Sequence, residues 1–102
     1  REPNGLAMSS RNELLSEKAR KEAGFMYDTL KHCVATKKTK AEIIGEIQAA
    51  FTSHPTFTLH YALCVDETTL QEVSEIDKSQ DQRIFIAASV EGVRLIDNIA
   101  LK

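Results

Sequence analysis

The hydrophobic period of this chain changes once, at Pro55, and that change does most to fix its fold class. Before Pro55 apolar residues recur every three or four positions, as one face of a helix requires. After it they recur every second position, as one face of a strand requires. Helices first and strands later predict an α+β domain: a small three-stranded antiparallel sheet covered on one face by two helices.

The helical half is read from its period and its caps. Ser10 and Glu13 have the S-x-x-E spacing of a capping box, and Ser16 offers a second start with Glu17 in the first turn. Over residues 17–37, Ala19, Ala23, Met26, Tyr27, Leu30, Cys33 and Val34 share one face. That predicts a single helix carrying Gly24 at a cost of up to about 1 kcal/mol against Ala. Thr39-Lys40-Ala41-Glu42 is a second capping box, followed by the stripe Ile43, Ile44, Ile47, Ala50 and Phe51. Pro55 ends that helix near Ser53 and pushes His54 extended.

In the strand half, Phe57, Leu59, Tyr61, Leu63 and Val65 alternate with Thr58, His60, Ala62 and Cys64, which predicts a strand with one strongly apolar face. Residues 66–82 are polar and predicted as loop, with one short turn around Leu70 to Val73. Residues 83–90 and 93–101 read as two further strands. Glu91-Gly92 joins them as a hairpin, Gly92 supplying the positive φ. The sequence leaves the partner of the first strand open.

The 102 residues make one domain at most. Hydrophobic residues at 42% and charged residues at 27% fit a globular chain with a single core. A formal net charge of −2 argues against a nucleic-acid module and against a polybasic membrane anchor. No apolar run is long enough to span a bilayer, and nothing near Arg1 resembles a secretory signal, so a cytoplasmic location is expected. The chain does not begin with Met, which is expected of a piece of a larger protein. Cys33 and Cys64 form no CxxC pair and have no companion ligands; they read as two buried thiols, one disulfide being possible in principle.

Most chemical candidates dissolve on inspection. His32, His54 and His60 are scattered, with no i,i+4 pair to hold a metal, and read as surface or sheet-edge side chains. Asp97 has no evident acid–base partner. Arg94 is expected to pair with an acid across the sheet. There is neither a G-x-S-x-G elbow nor a P-loop.

What remains is Gly5-Leu6-Ala7-Met8-Ser9-Ser10-Arg11-Asn12. A turn leads into two hydroxyls and a guanidinium at a predicted helix start, where backbone N–H groups are unpaired and partially positive. Hydroxyl donors and the permanently charged fork of Arg11 suit phosphate. The same residues also suit a plain helix cap.

The run from Arg1 to Asn12, R-E-P-N-G-L-A-M-S-S-R-N, resembles the interdomain segment of the pantoate–β-alanine ligase family, whose pattern is close to R-E-x-D-G-L-A-M-S-S-R-N. Gly92-Val93-Arg94-Leu95-Ile96-Asp97-Asn98 is similar to the family's closing G-x-R-L-I-D-N. Tyr61-Ala62-Leu63-Cys64-Val65-Asp66 with Thr69-Leu70 resembles its Y-x-x-x-V-D-x-x-T-L. The resemblance spans the chain in order; its first motif is the specific one.

The resemblance implies an enzyme that joins pantoate to β-alanine in two steps. ATP, accompanied by magnesium, converts pantoate to pantoyl adenylate with release of pyrophosphate; the β-alanine amine then displaces AMP. It further implies an N-terminal Rossmann-like domain with an H-x-G-H motif, not present in this chain, and a homodimer built through that domain. Residues 1–12 would be the interdomain hinge and phosphate-binding segment, and residues 13–102 the lid. Met8, Ser9, Ser10 and Arg11 fall on the family's ATP-binding segment, Arg11 as the catalytic cation, with Asn4 and Gly5 as hinge and no metal ligand in this chain. Asn4 stands where the family usually has Asp. Alone, the chain is expected to fold, to make no pantothenate, to bind ATP weakly or not at all, and to be monomeric or to associate through a bare sheet face or edge. The reading from another class is a free-standing α+β interaction module whose Ser-Ser-Arg is only a cap; the reading frame upstream of Arg1 separates the two.

Overall fold

A computed structural model describes residues 1–102. In chain order it contains a 3-10 turn over Ser10–Leu14, helices α1 (Glu17–Glu22), α2 (Phe25–Thr36) and α3 (Lys40–Thr52), and strands β1 (Thr58–Asp66), β2 (Gln82–Val90) and β3 (Val93–Ala100). The strands form one antiparallel sheet in the order β1-β2-β3. The expected α+β architecture is present. α2 packs against β3, α3 against β1, and the two helices against each other, all on one face of the sheet.

One core lies between these layers. α2 contributes Met26, Leu30 and Cys33, α3 contributes Ile43, Ile47 and Phe51, and β2 contributes Ile84, Ile86 and Ala88. These are the positions the helical and strand periods select, because only one face of each element can leave water. The Thr39–Glu42 capping box forms in both directions. Glu91 and Gly92 both have positive φ, 54° and 74°, as a tight hairpin turn requires. Glu91 also reaches back, accepting from Ser16 N and Ser16 Oγ at 2.7 Å each.

Three expectations are corrected. The S-x-x-E box at Ser10 does not form: Ser9 is the cap, its Oγ accepting from Arg11 N at 3.2 Å, and the turn is too short to need Glu13. Leu15 then takes an extended backbone and enters the core before Ser16 caps α1.

The helix predicted over 17–37 is two helices. At the joint the backbone stays right-handed but tightens: Gly24 N donates to the Lys21 carbonyl and Met26 N to that of Ala23. The Asn4 side chain bonds the Arg20 and Lys21 carbonyls beside this joint, at 2.9 and 3.2 Å.

The first strand does not keep one apolar face. Leu59 pairs with Ala88 and Tyr61 with Ala87, so His60 is an extra residue, a β-bulge. Each residue after a bulge changes sides. Phe57 and Leu59 face the core before it, and Ala62 and Cys64 after it. Tyr61, Leu63 and Val65 therefore lie on the outer face, clustered with Leu70 and Phe85.

Candidate functional site

Residues 1–12 fold back onto the domain, and their contacts fix where the predicted site lies. Arg1 spans Asp97 with both terminal guanidinium nitrogens, at 2.7 and 2.8 Å, and lies 3.6 Å over the Tyr27 ring. Asp97, without an evident partner in the sequence, thus has one at the opposite end of the chain.

Glu2 accepts from Arg20 at 2.8 and 3.0 Å and from Asn12 Nδ2 at 2.6 Å. The Arg20 hydrogen bonds first, then that of Asn12, hold the Glu2 carboxyl below the usual range. Asn12 also donates to the Ala7 carbonyl at 2.9 Å. It is fully buried, and its Oδ1 is the one buried side-chain acceptor without a protein partner. Sequence reading misses this role of Asn12, since a polar residue at a helix start carries no signal of burial.

These contacts leave a cavity of ≈ 390 Å³ between residues 6–12 and the free edge of β3. That is the size of a small-ligand pocket. Met8, Ser9, Arg11 and Asn12 form one wall; residues 94–98 form the other. Of the four residues predicted to meet phosphate, Met8, Ser9 and Arg11 come together here. Ser10 is exposed and outside the wall. Ser9 Oγ accepts from Arg11 N, which leaves its own hydroxyl proton free to donate. Asn4 and Gly5 sit behind the cavity: Asn4 is bound to α1, and Gly5 lies against Tyr27.

The charges are uneven. The chain has five arginines. Arg1, Arg20 and Arg83 are each paired with a carboxylate at 2.7 or 2.8 Å. Arg11 and Arg94 are not, and both line this cavity. The expected acid partner of Arg94 does not exist: Ser89 lies opposite on β2, and the Tyr61 ring is 5.9 Å away.

The other candidates are structural. His32 pairs with Glu46, His60 bonds Ser89 Oγ, and His54 stacks on Phe25 while bonding Glu22. Both thiols are free and buried, and burial pushes Cys33 up to about 11. No group of three His, Cys, Asp or Glu side chains is placed to hold a metal ion. No helix is long and apolar enough to cross a membrane.

Residues 1–100 match the family model described as pantoate-beta-alanine ligase. The pantothenate synthetase of Christiangramia forsetii is 41% identical over 99% of this chain and 36% of its own length. That of Flavobacterium psychrophilum is 39% identical over 100% of this chain and 37% of its own. A crystal structure of pantothenate synthetase from Thermus thermophilus superimposes with a TM-score of 0.86 at 32% identity, over 99% of this chain and 37% of that one. The pantoate-beta-alanine ligase of Francisella tularensis, crystallised with beta-gamma ATP and beta-alanine, gives 0.59 at 27% identity, over 99% of this chain and 30% of that one. The chain thus spans little more than a third of the relatives it matches.

Proposed function

The chain belongs to the pantoate-beta-alanine ligase family, and from that premise we propose that it is the C-terminal lid of a cytoplasmic ligase, closing residues 8–11 over the phosphates of ATP. The observation that carries the reading is Arg11 facing, with Met8 and Ser9, a ligand-sized cavity while holding no carboxylate. A cation without a counter-ion beside a free hydroxyl is chemistry that awaits an anion.

The reaction proposed for the whole enzyme runs in two displacements. A pantoate carboxylate oxygen attacks the α-phosphorus of ATP, and the bond to the bridging oxygen breaks, releasing pyrophosphate. The β-alanine amine then attacks the acyl carbon, AMP leaves with the bonding pair, and the amine loses its proton. Negative charge grows on pyrophosphate as it departs. Arg11 stabilises that charge and Ser9 donates a hydrogen bond to a phosphate oxygen; Ser10, outside the cavity wall here, would add its own only when the lid closes. Met8 packs near the nucleotide. Magnesium enters with ATP as substrate, and this chain offers no ligand set for it.

The turn at Asn4 and Gly5 is the proposed hinge between residues 13–102 and an N-terminal Rossmann-like domain. Closure would exclude water and protect the acyl adenylate from hydrolysis. The whole enzyme is proposed to dimerise through the N-terminal domain. Titration calorimetry of Mg-ATP into the 102-residue chain tests the lid reading. Heat too weak to fit below millimolar concentrations is expected. Micromolar binding would show that the chain needs no partner domain, and the reading would be withdrawn.

A further inference from the structure

We propose that Arg94 is a second phosphate-binding guanidinium, gripping from β3 the same polyphosphate chain that Arg11 meets from residues 8–11. This rests on the reading that those residues meet a nucleotide's phosphates, and it adds a residue from the far end of the sequence.

Arg94 has no structural partner of its own. It forms no ion pair. The residue opposite it on β2 is Ser89, and its one aromatic neighbour, Tyr61, stands at 5.9 Å, the outer limit of a cation–π contact. Structural duty therefore does not account for it. Asp97, three residues on, points to the other side of the strand, and its carboxylate is held by both arms of Arg1. The one acid in the cavity wall is thus already neutralised.

Arg94 and Arg11 stand on opposite walls of one cavity. Two like charges facing each other across solvent repel weakly; an anion between them turns that repulsion into two attractions. The cavity of ≈ 390 Å³ has room for a chain of phosphates, which presents oxygens to both walls. The supports also differ. Arg94 is held in register with Ser89 by the hairpin, whereas Arg11 rides on the 3-10 turn. A fixed fork on the strand and a second fork on the closing segment form a clamp.

Proton–nitrogen spectra of the arginine Nε–H groups, recorded while sodium tripolyphosphate is added to the chain at constant ionic strength, test this. Arg20 and Arg83 are internal controls, because their Nε–H groups already bond Glu2 and Glu67. Arg11 and Arg94 are expected to move together on one saturation curve, and inorganic phosphate to move them less. Arg94→Ala should weaken the Arg11 curve about three- to fivefold, as removal of one exposed charge contact does. Arg94→Lys should fall between. Movement of Arg11 without Arg94 overturns the proposal and leaves the lid reading standing. Movement of Arg94 without Arg11 overturns both; stillness of both up to tens of millimolar overturns the proposal alone, because the lid reading expects weak binding or none by the isolated chain.

Discussion

Gly24 and Asn4 meet at van der Waals limit: a Cβ on Gly24 would lie 2.8 Å from the Asn4 backbone carbonyl oxygen. Replacing a helical Gly by Ala ordinarily stabilises by up to about 1 kcal/mol. Here the sign reverses, because backbone cannot yield as a flexible side chain can. Gly24→Ala is expected to lower the thermal midpoint by several degrees. A raised midpoint would mean that residues 1–6 leave the domain at little cost.

Asn4→Asp restores the family's usual residue and is nevertheless expected to destabilise this chain. The Asn4 amide donates to the carbonyls of Arg20 and Lys21 at the end of α1. A carboxylate has no proton to give and would set negative charge against the negative end of a helix. The loss should be about 1–2 kcal/mol in urea denaturation. Equal stability of the two proteins would remove the amide from the account.

Acid should unfold the chain through identifiable carboxylates. Glu2 is held below its usual range by Arg20 and then Asn12, Glu42 by the Lys38 and Thr39 backbone and the Thr39 side chain, and Glu91 by the Ser16 backbone and then its hydroxyl. Thr69 and Thr68 do the same for Asp66, and Ser79 for Asp77. Each binds its proton more weakly folded than unfolded. Their contribution is complete above the unfolded carboxylate values, about 4, and is lost as pH falls through the lower folded values. Denaturation midpoints should be flat from pH 7 to about 5 and fall below that. A midpoint that rises on acidification would contradict these assignments.

How far the fold is legible in advance depends on whether a signal is local. The capping box at Thr39 and the turn at Glu91-Gly92 are written in adjacent residues, and both form as read. The bulge at His60 is not: nothing in Leu59-His60-Tyr61 distinguishes a regular alternation from one that slips by a residue. Gly24 is legible as a cost but not as a joint, because Asn4, which packs against it and bonds the carbonyls beside it, lies more than five helical turns' worth of residues upstream. The site divides in the same way. Met8, Ser9 and Arg11 form a contiguous motif, while Arg94 joins them only when the hairpin carries β3 alongside.

Stabilisation of departing pyrophosphate by this segment is tested most directly in the full-length protein. The measurement is pantoate-dependent exchange of labelled pyrophosphate into ATP, comparing wild type with Arg11→Ala. The Arg11 side chain is exposed and unpaired, so the variant should fold with unchanged stability. The account predicts an exchange rate lower by on the order of a hundredfold, the scale on which loss of one charge-stabilising donor acts. A correctly folded Arg11→Ala protein that exchanges at the wild-type rate would contradict it.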